Sequence, residues 1–207
     1  KYDLDNTTCL ITQTGGGCLA TNYVGFIRKA LREAGFEKVP CVPLSVQGFE
    51  HHPGMEFDLP TISRAAQGII YGDLLMRVLY KVRPYEKIPG SANALYDQWV
   101  IRCIKSLENG KFLEYEKNCK DIVKAFDAFP IQEDLVKPKI GLVGEILVKF
   151  HPTANNSVVE VIEAEGAEAV MPDLTDFFLY SAFNADFKFK NLGAGLKGAV
   201  SGHIGIA

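Results

Sequence analysis

The amino-acid sequence predicts the α/β class: a Rossmann-like, mostly parallel sheet carrying a helical insertion at about 60–130. Three observations lead there. A short apolar or β-branched run followed by a loop and an amphipathic helix occurs early in the chain, and the pattern recurs after Pro138. Between the two copies lie three long stretches with apolar residues at helical spacing. Glycines and prolines stand where each pattern stops. Strands are expected near 8–13, 39–45, 139–144 and 168–171, all in one sheet.

The first unit opens with Thr7–Thr12 as a buried strand, and Leu19–Ala34 as a helix with Val24, Ile27, Leu31 and Ala34 on one stripe. Gly35 is placed to cap that helix. Val39–Val46 forms the next strand, where Pro40 and Pro43 argue for an edge or irregular strand. Between the first strand and its helix runs Thr12-Gln13-Thr14-Gly15-Gly16-Gly17-Cys18. Three glycines allow a sharp turn and keep side chains away from whatever approaches. The N–H groups of the following helical turn carry partial positive charge, which suits a phosphate, a carboxylate or a thiolate-bound cluster. Cys18 sits where that field favours the thiolate. The plainer alternative is a tight turn with Cys18 as a small core residue. No Gly-Lys-Ser/Thr follows and the dinucleotide fingerprint spacing is absent, which argues against nucleotide hydrolysis by this loop.

Gln47–Leu59 reads as a loop. Its His51-His52 pair has no carboxylate at a ligand-like spacing, which disfavours a metal site. Helices follow at Thr61–Val82, Ala92–Leu107 and Phe112–Phe129, broken by Arg83-Pro84-Tyr85, Asn109-Gly110 and Pro130. Arg77, Lys81, Arg83, Lys87 and Arg102 read as a solvated basic face. The second strand-loop-helix-strand unit comprises Lys139–Gly144, a loop over Glu145–Ala154, a helix over Ser157–Glu165 with Asn155 or Asn156 as N-cap, and a strand over Ala167–Met171. A last helix spans Leu174–Phe183.

With 207 residues and 47% hydrophobic content the chain can bury a sizeable core. A net charge of −3 with no basic stripe argues against nucleic acid, and no apolar run is long enough for a membrane span. The cytoplasm is the default setting. The five cysteines, Cys9, Cys18, Cys41, Cys103 and Cys119, include no Cys-x-x-Cys, which disfavours a disulfide framework or a self-contained zinc site. Core packing suits Cys9, Cys41 and Cys103, and Cys119 reads as a helix residue of no special role. The absence of an initiator methionine and the apolar stretch Gly198–Ala207 lead us to expect one domain over 1–207, truncated at both ends, from a larger protein.

Several segments together resemble a known family. Gln13–Tyr23, Val82-Arg83-Pro84-Tyr85-Glu86, Val143–Asn156 with its Gly-Glu-Ile-Leu-Val-Lys run, and Glu163–Glu168 are similar to the later portion of the large bacterial CoA-substrate-specific enzyme activases. These proteins resemble an activator of 2-hydroxyacyl-CoA dehydratase fused to a dehydratase-like portion. The resemblance implies that this chain belongs to the dehydratase-like portion of an ATP-driven, low-potential electron-transfer system. It implies an actin-like ATPase module elsewhere in the parent chain, an iron–sulfur cluster held by cysteines from several loops, and possible acyl-CoA substrates. Cys18 becomes a candidate cluster ligand, with Gly15, Gly16 and Gly17 lining its loop. One cysteine cannot hold a cluster, so partner cysteines outside this chain are needed and the isolated chain is expected to be apo.

Loops 13–22 and 145–156 are expected to approach along one sheet edge, forming a polar cleft with Asn22, Glu145, His151, Asn155 and Asn156. Capping is the plainer role for the two asparagines. His151 precedes Pro152 and should be extended. Two other functions compete with the redox module: an anion- or CoA-binding docking domain, and a purely structural domain.

Overall fold

The computed structural model describes residues 3–12, 19–44 and 58–193. The chain forms two compact units, Lys1–Phe57 and Asp58–Ala207. Each is described by itself.

In the first unit, β1 (Cys9–Thr12) pairs in parallel with β2 (Cys41–Leu44), and α1 (Tyr23–Glu33) lies between them in sequence, preceded by a 3-10 turn at Leu19–Asn22. The register sets Cys9 against Cys41 and Thr12 against Leu44. Pro43 has no N–H to give the ladder, a position tolerated at a sheet edge. The helix ends as its sequence predicts. Gly35, at φ +77, donates to Arg32 O, and Phe36 donates to Leu31 O at 2.7 Å, the paired bonds of a Schellman cap. Ala20, Val24, Val39, Cys41 and Val42 are buried. The Arg28 guanidinium donates to Cys41 O at 3.0 Å.

The second unit is built on three helices: α2 (Leu59–Val82), α3 (Ser91–Asn109) and α4 (Phe112–Asp127). Asp58 caps α2 by accepting from Thr61 N at 2.8 Å, and Pro60 sits in the first turn, where no N–H is needed. Gly110 joins α3 to α4 at φ +66, and a Cβ there would meet the Arg64 side chain at 3.1 Å. The three helices bury one stripe each, from Tyr71, Leu75, Leu79 and Val82 through Ala92, Trp99 and Cys103 to Ile122 and Phe126. Beyond them, β3 (Lys139–Gly141) pairs in parallel with β4 (Glu168–Val170), with α5 (Ile146–Phe150) and α6 (Val158–Ala164) between them in the chain. A small core of Val159, Ile162, Ala167 and Ala169 covers this pair, and Tyr80 packs against both cores. Last comes α7 (Leu174–Leu192), ended by Gly193 at φ +66.

This corrects the expected Rossmann-like sheet. Among the described residues the four strands lie near their predicted positions but form two separate two-stranded sheets, one in each unit. The strands are three or four residues long, β3 is exposed along its length, and Pro43 interrupts the donors of β2. Most buried apolar side chains of the second unit lie instead on helices, so the segment at 60–130 is its main core, not an insertion. Two helices also differ from expectation. The stretch Glu145–Ala154 contains α5, and α7 runs past Phe183 because no glycine or proline intervenes before Gly193.

Ile122 is fully buried at the centre of the three-helix core. Ile122→Ala should lower the unfolding free energy by about 3 kcal/mol, the middle of the range for a core isoleucine truncation. Urea denaturation followed by helical circular dichroism checks this; a loss below about 1 kcal/mol would mean the core collapses around the gap.

Candidate functional site

The segment after β3 carries four of the five predicted cleft residues. Gly144 takes φ +153, and Glu145 then caps α5 by accepting from Val148 N at 2.9 Å. His151 ends that helix with φ −105 and ψ 103, extended as its place before Pro152 predicts, and its Nδ1 accepts from Ala154 N at 3.3 Å. Asn155 holds the turn together. Its Nδ2 donates to Val148 O and Lys149 O, both at 3.0 Å, and its Oδ1 accepts from Val158 N at 3.2 Å in the first turn of α6. Asn156 and Ser157 follow in the left-handed region, at φ +56 and +53. Lys149 reaches across to Pro172 O at 3.2 Å, beyond the end of β4, and stands over the Phe150 ring. The segment is thus a self-bonded loop at the C-terminal end of a parallel pair, with Glu145 and Asn155 in capping roles.

The other predicted site residues lie apart from it in sequence. Asn22 precedes α1 and makes no side-chain capping bond. Cys18, Gly15, Gly16 and Gly17 lie outside the described residues, as do His51 and His52.

Two further motif segments meet each other. Arg83, in a 3-10 turn at Arg83–Tyr85 after α2, grips Glu163 on α6 with two bonds, Nε to Oε2 at 2.7 Å and Nη2 to Oε1 at 3.0 Å. Its Nη1 donates to Asn93 Oδ1 at 3.2 Å, and its guanidinium lies over the Tyr80 ring. Both partners of the ion pair are only 14% exposed. Two residues on, the Tyr85 hydroxyl donates to Glu168 Oε2 on β4 at 2.7 Å, and Lys139 on β3 approaches Glu168 Oε1 at 3.5 Å. Glu86 accepts from Gly90 N at 2.6 Å and Ala92 N at 2.8 Å, at the start of α3. Sequence reasoning put Arg83 on a solvated basic face; it is instead a mostly buried bracket. The sequence signal that points to it is the combination of Arg-Pro-Tyr-Glu with the acidic Glu163–Glu168 run.

A third polar group lies inside the helical core. Asn118, fully buried, donates to the Tyr71 hydroxyl at 3.2 Å; that hydroxyl also lies 3.3 Å from Ser106 Oγ and donates to Tyr115 O at 3.4 Å. Asn118 Oδ1 has no hydrogen-bond partner. Burial pushes the Cys103 thiol up to about 11 and Tyr115 up to about 12, and raises Cys119 as well. Asp73 on α2 caps α7 from outside, accepting from Leu174 N at 2.9 Å and Thr175 N at 2.6 Å, while Arg77 pairs with Asp173. Burial raises the Asp173 carboxyl above its ordinary range, against the opposing pull of Arg77.

The donor set among the described residues does not fit an iron–sulfur cluster. No three His, Cys, Asp or Glu side chains among them are grouped to hold a metal, and burial raises the Cys103 and Cys119 thiols, which disfavours the thiolate that a cluster needs. No described helix is long and apolar enough to cross a membrane. The chain matches no protein-family model, no curated protein and no solved structure.

Two outcomes follow from the bracket. Arg83→Ala and Glu163→Ala should each destabilise the protein by about 2–4 kcal/mol, because each leaves the other charge buried alone. The double variant should cost much less than the sum, and additive losses in a double-mutant cycle would deny the pair its role. At alkaline pH, Tyr85 provides the second. Its hydrogen bond to Glu168, with burial, raises its pKa above the ordinary 10.0. Proton binding is therefore tighter in the folded state, so this contribution is present below 10.0 and is lost as pH rises through the folded pKa. Tyr85→Phe should lose about 1 kcal/mol at neutral pH and show a shallower alkaline decline than the wild type in denaturation between pH 8 and pH 11. Parallel curves would show that the hydroxyl bond contributes nothing.

Proposed function

We propose that this chain is a dehydratase-like module of a larger, cytoplasmic, ATP-driven iron–sulfur electron-transfer enzyme, similar to the 2-hydroxyacyl-CoA dehydratases and their activases. The observation that carries this reading is the meeting of its motif segments. Val82–Glu86 and Glu163–Glu168 are about 80 residues apart in the chain, yet Arg83 bonds Glu163 and Tyr85 bonds Glu168. Segments chosen for their resemblance thus belong to one physical assembly. In this reading the second unit is a scaffold, and Cys18 is the one cysteine of the chain offered to a cluster whose other ligands come from elsewhere in the parent protein. An actin-like ATPase module of that protein and an acyl-CoA are the partners it implies.

A second reading is favoured by the same bonds. Glu86, Glu145, Asn155, Glu163 and Glu168 are all committed to caps and brackets, which suits a docking or anion- and CoA-binding domain with no chemistry of its own.

Cysteine reactivity separates the two. If Cys18 is a poised ligand, iodoacetamide near neutral pH should modify it before Cys9, Cys41, Cys103 and Cys119, read by peptide mass spectrometry. Equal or slower modification removes the support for a cluster role. In that case, binding of CoA to the unmodified chain in calorimetry would favour the docking domain.

A further inference from the structure

We propose that the chain associates with a second copy of itself through the outward stripe of α7, paired antiparallel about Phe183. The helix is pinned at its start, where Asp73 receives the N–H groups of Leu174 and Thr175. Its inward side carries buried Asp186 and half-buried Ala182 and Phe189. About a quarter turn round the helix from that side the surface is apolar and open: Tyr180 is 65% exposed, Phe183 60%, and Leu179 and Phe187 49% each. Residues three and four apart share one helix face, so Asp176, Leu179, Tyr180, Phe183, Phe187 and Lys190 form a single stripe.

Apart from Tyr180, whose counterpart at equal distance is Asp186, that stripe is complementary to its own reverse. Asp176 and Lys190 stand at equal distances on either side of Phe183, as do Leu179 and Phe187. A two-fold axis through Phe183 therefore sets Asp176 against Lys190 of the second copy and Leu179 against Phe187, each pair twice, with Phe183 against itself once on the axis. Both end charges are accessible for exchange, with side chains 59% and 61% exposed. Their present contacts are within the chain, Asp176 with Arg77 at 3.9 Å and Lys190 with Asp186 at 2.8 Å. An antiparallel pair also sets the two helix dipoles head to tail. Parallel pairing would set Asp176 near Asp176 and Lys190 near Lys190, which like-charge repulsion disfavours. The four half-exposed apolar side chains on each copy give roughly 800 Å² in total, below the standard size of a stable interface. The association is accordingly weak, with a Kd in the micromolar range or above.

Sedimentation velocity on the full chain, from micromolar to hundreds of micromolar, should show a concentration-dependent dimer. Phe183→Glu should abolish it while leaving the thermal transition of this exposed position unchanged. Asp176→Lys and Lys190→Asp should each weaken it about tenfold, and the double reversal should restore it. Rescue is specific to the antiparallel register, because losing the internal contacts with Arg77 and Asp186 cannot be repaired by the second change. A chain that stays monomeric at every concentration overturns the proposal and leaves the stripe to another part of the parent protein or to a different partner. A dimer that ignores Phe183→Glu, or reversals without rescue, overturns it equally.

Discussion

A guanidinium and a carboxylate withdrawn from water each lose hydration worth several kcal/mol, and only close, well-directed bonds offset the loss. Arg83 and Glu163 meet that requirement: two bonds join their planar groups, Asn93 takes a third donor, and the Tyr80 ring covers the guanidinium. Much of the second unit depends on this contact. The parallel pair β3–β4 has three residues in each strand, and a two-stranded sheet of that size is not stable alone. Its covering core has four buried side chains. Tied to the end of α2 by Arg83 and Tyr85, this small layer gains the rigidity of the three-helix core. Tyr80, packed against both cores, closes the remaining gap with apolar contact.

The elements of the fold were largely legible, and their assembly was not. Helical spacing located α2, α3 and α4, since a stripe such as Leu95, Trp99 and Cys103 has meaning only at a 3.6-residue period. Gly35 and Gly110 mark helix ends by a conformation that other residues rarely adopt, whereas Gly193 was passed over and α7 was expected to end at Phe183. The apolar runs likewise located all four strands. Strand character, however, does not say which strand is a neighbour, and the single sheet was an inference from recurrence. The structure decided otherwise: the two strand pairs lie in separate units, and most buried apolar side chains of the second unit sit on helices.

The candidate site was legible in part for a similar reason. Asn155 as a cap and His151 as an extended residue follow from local rules that act over three or four positions. Arg83 does not. In sequence it is one of several basic residues, and its partner lies 80 positions away. The same holds for Asp73, whose role at the start of α7 spans more than 100 positions. Long-range charge pairing depends on which elements pack together, and the sequence pattern did not contain that.

The protonation of buried groups bears on where chemistry resides. A working acid, base or nucleophile needs a pKa drawn toward neutrality. In the helical core the shifts run the other way: Cys103, Cys119, Tyr71 and Tyr115 are all raised by burial, the first to about 11 and the last to about 12. A thiol raised by burial holds its proton more tightly and is the weaker nucleophile for it. Asn118, with one amide oxygen unbonded beside the Tyr71 hydroxyl, costs stability where an apolar side chain would not. Such a group fits a core that fixes the register of α2, α3 and α4 through a polar layer. The second unit thus combines a closely bonded interior with exposed apolar surfaces, among them the aromatic stripe of α7.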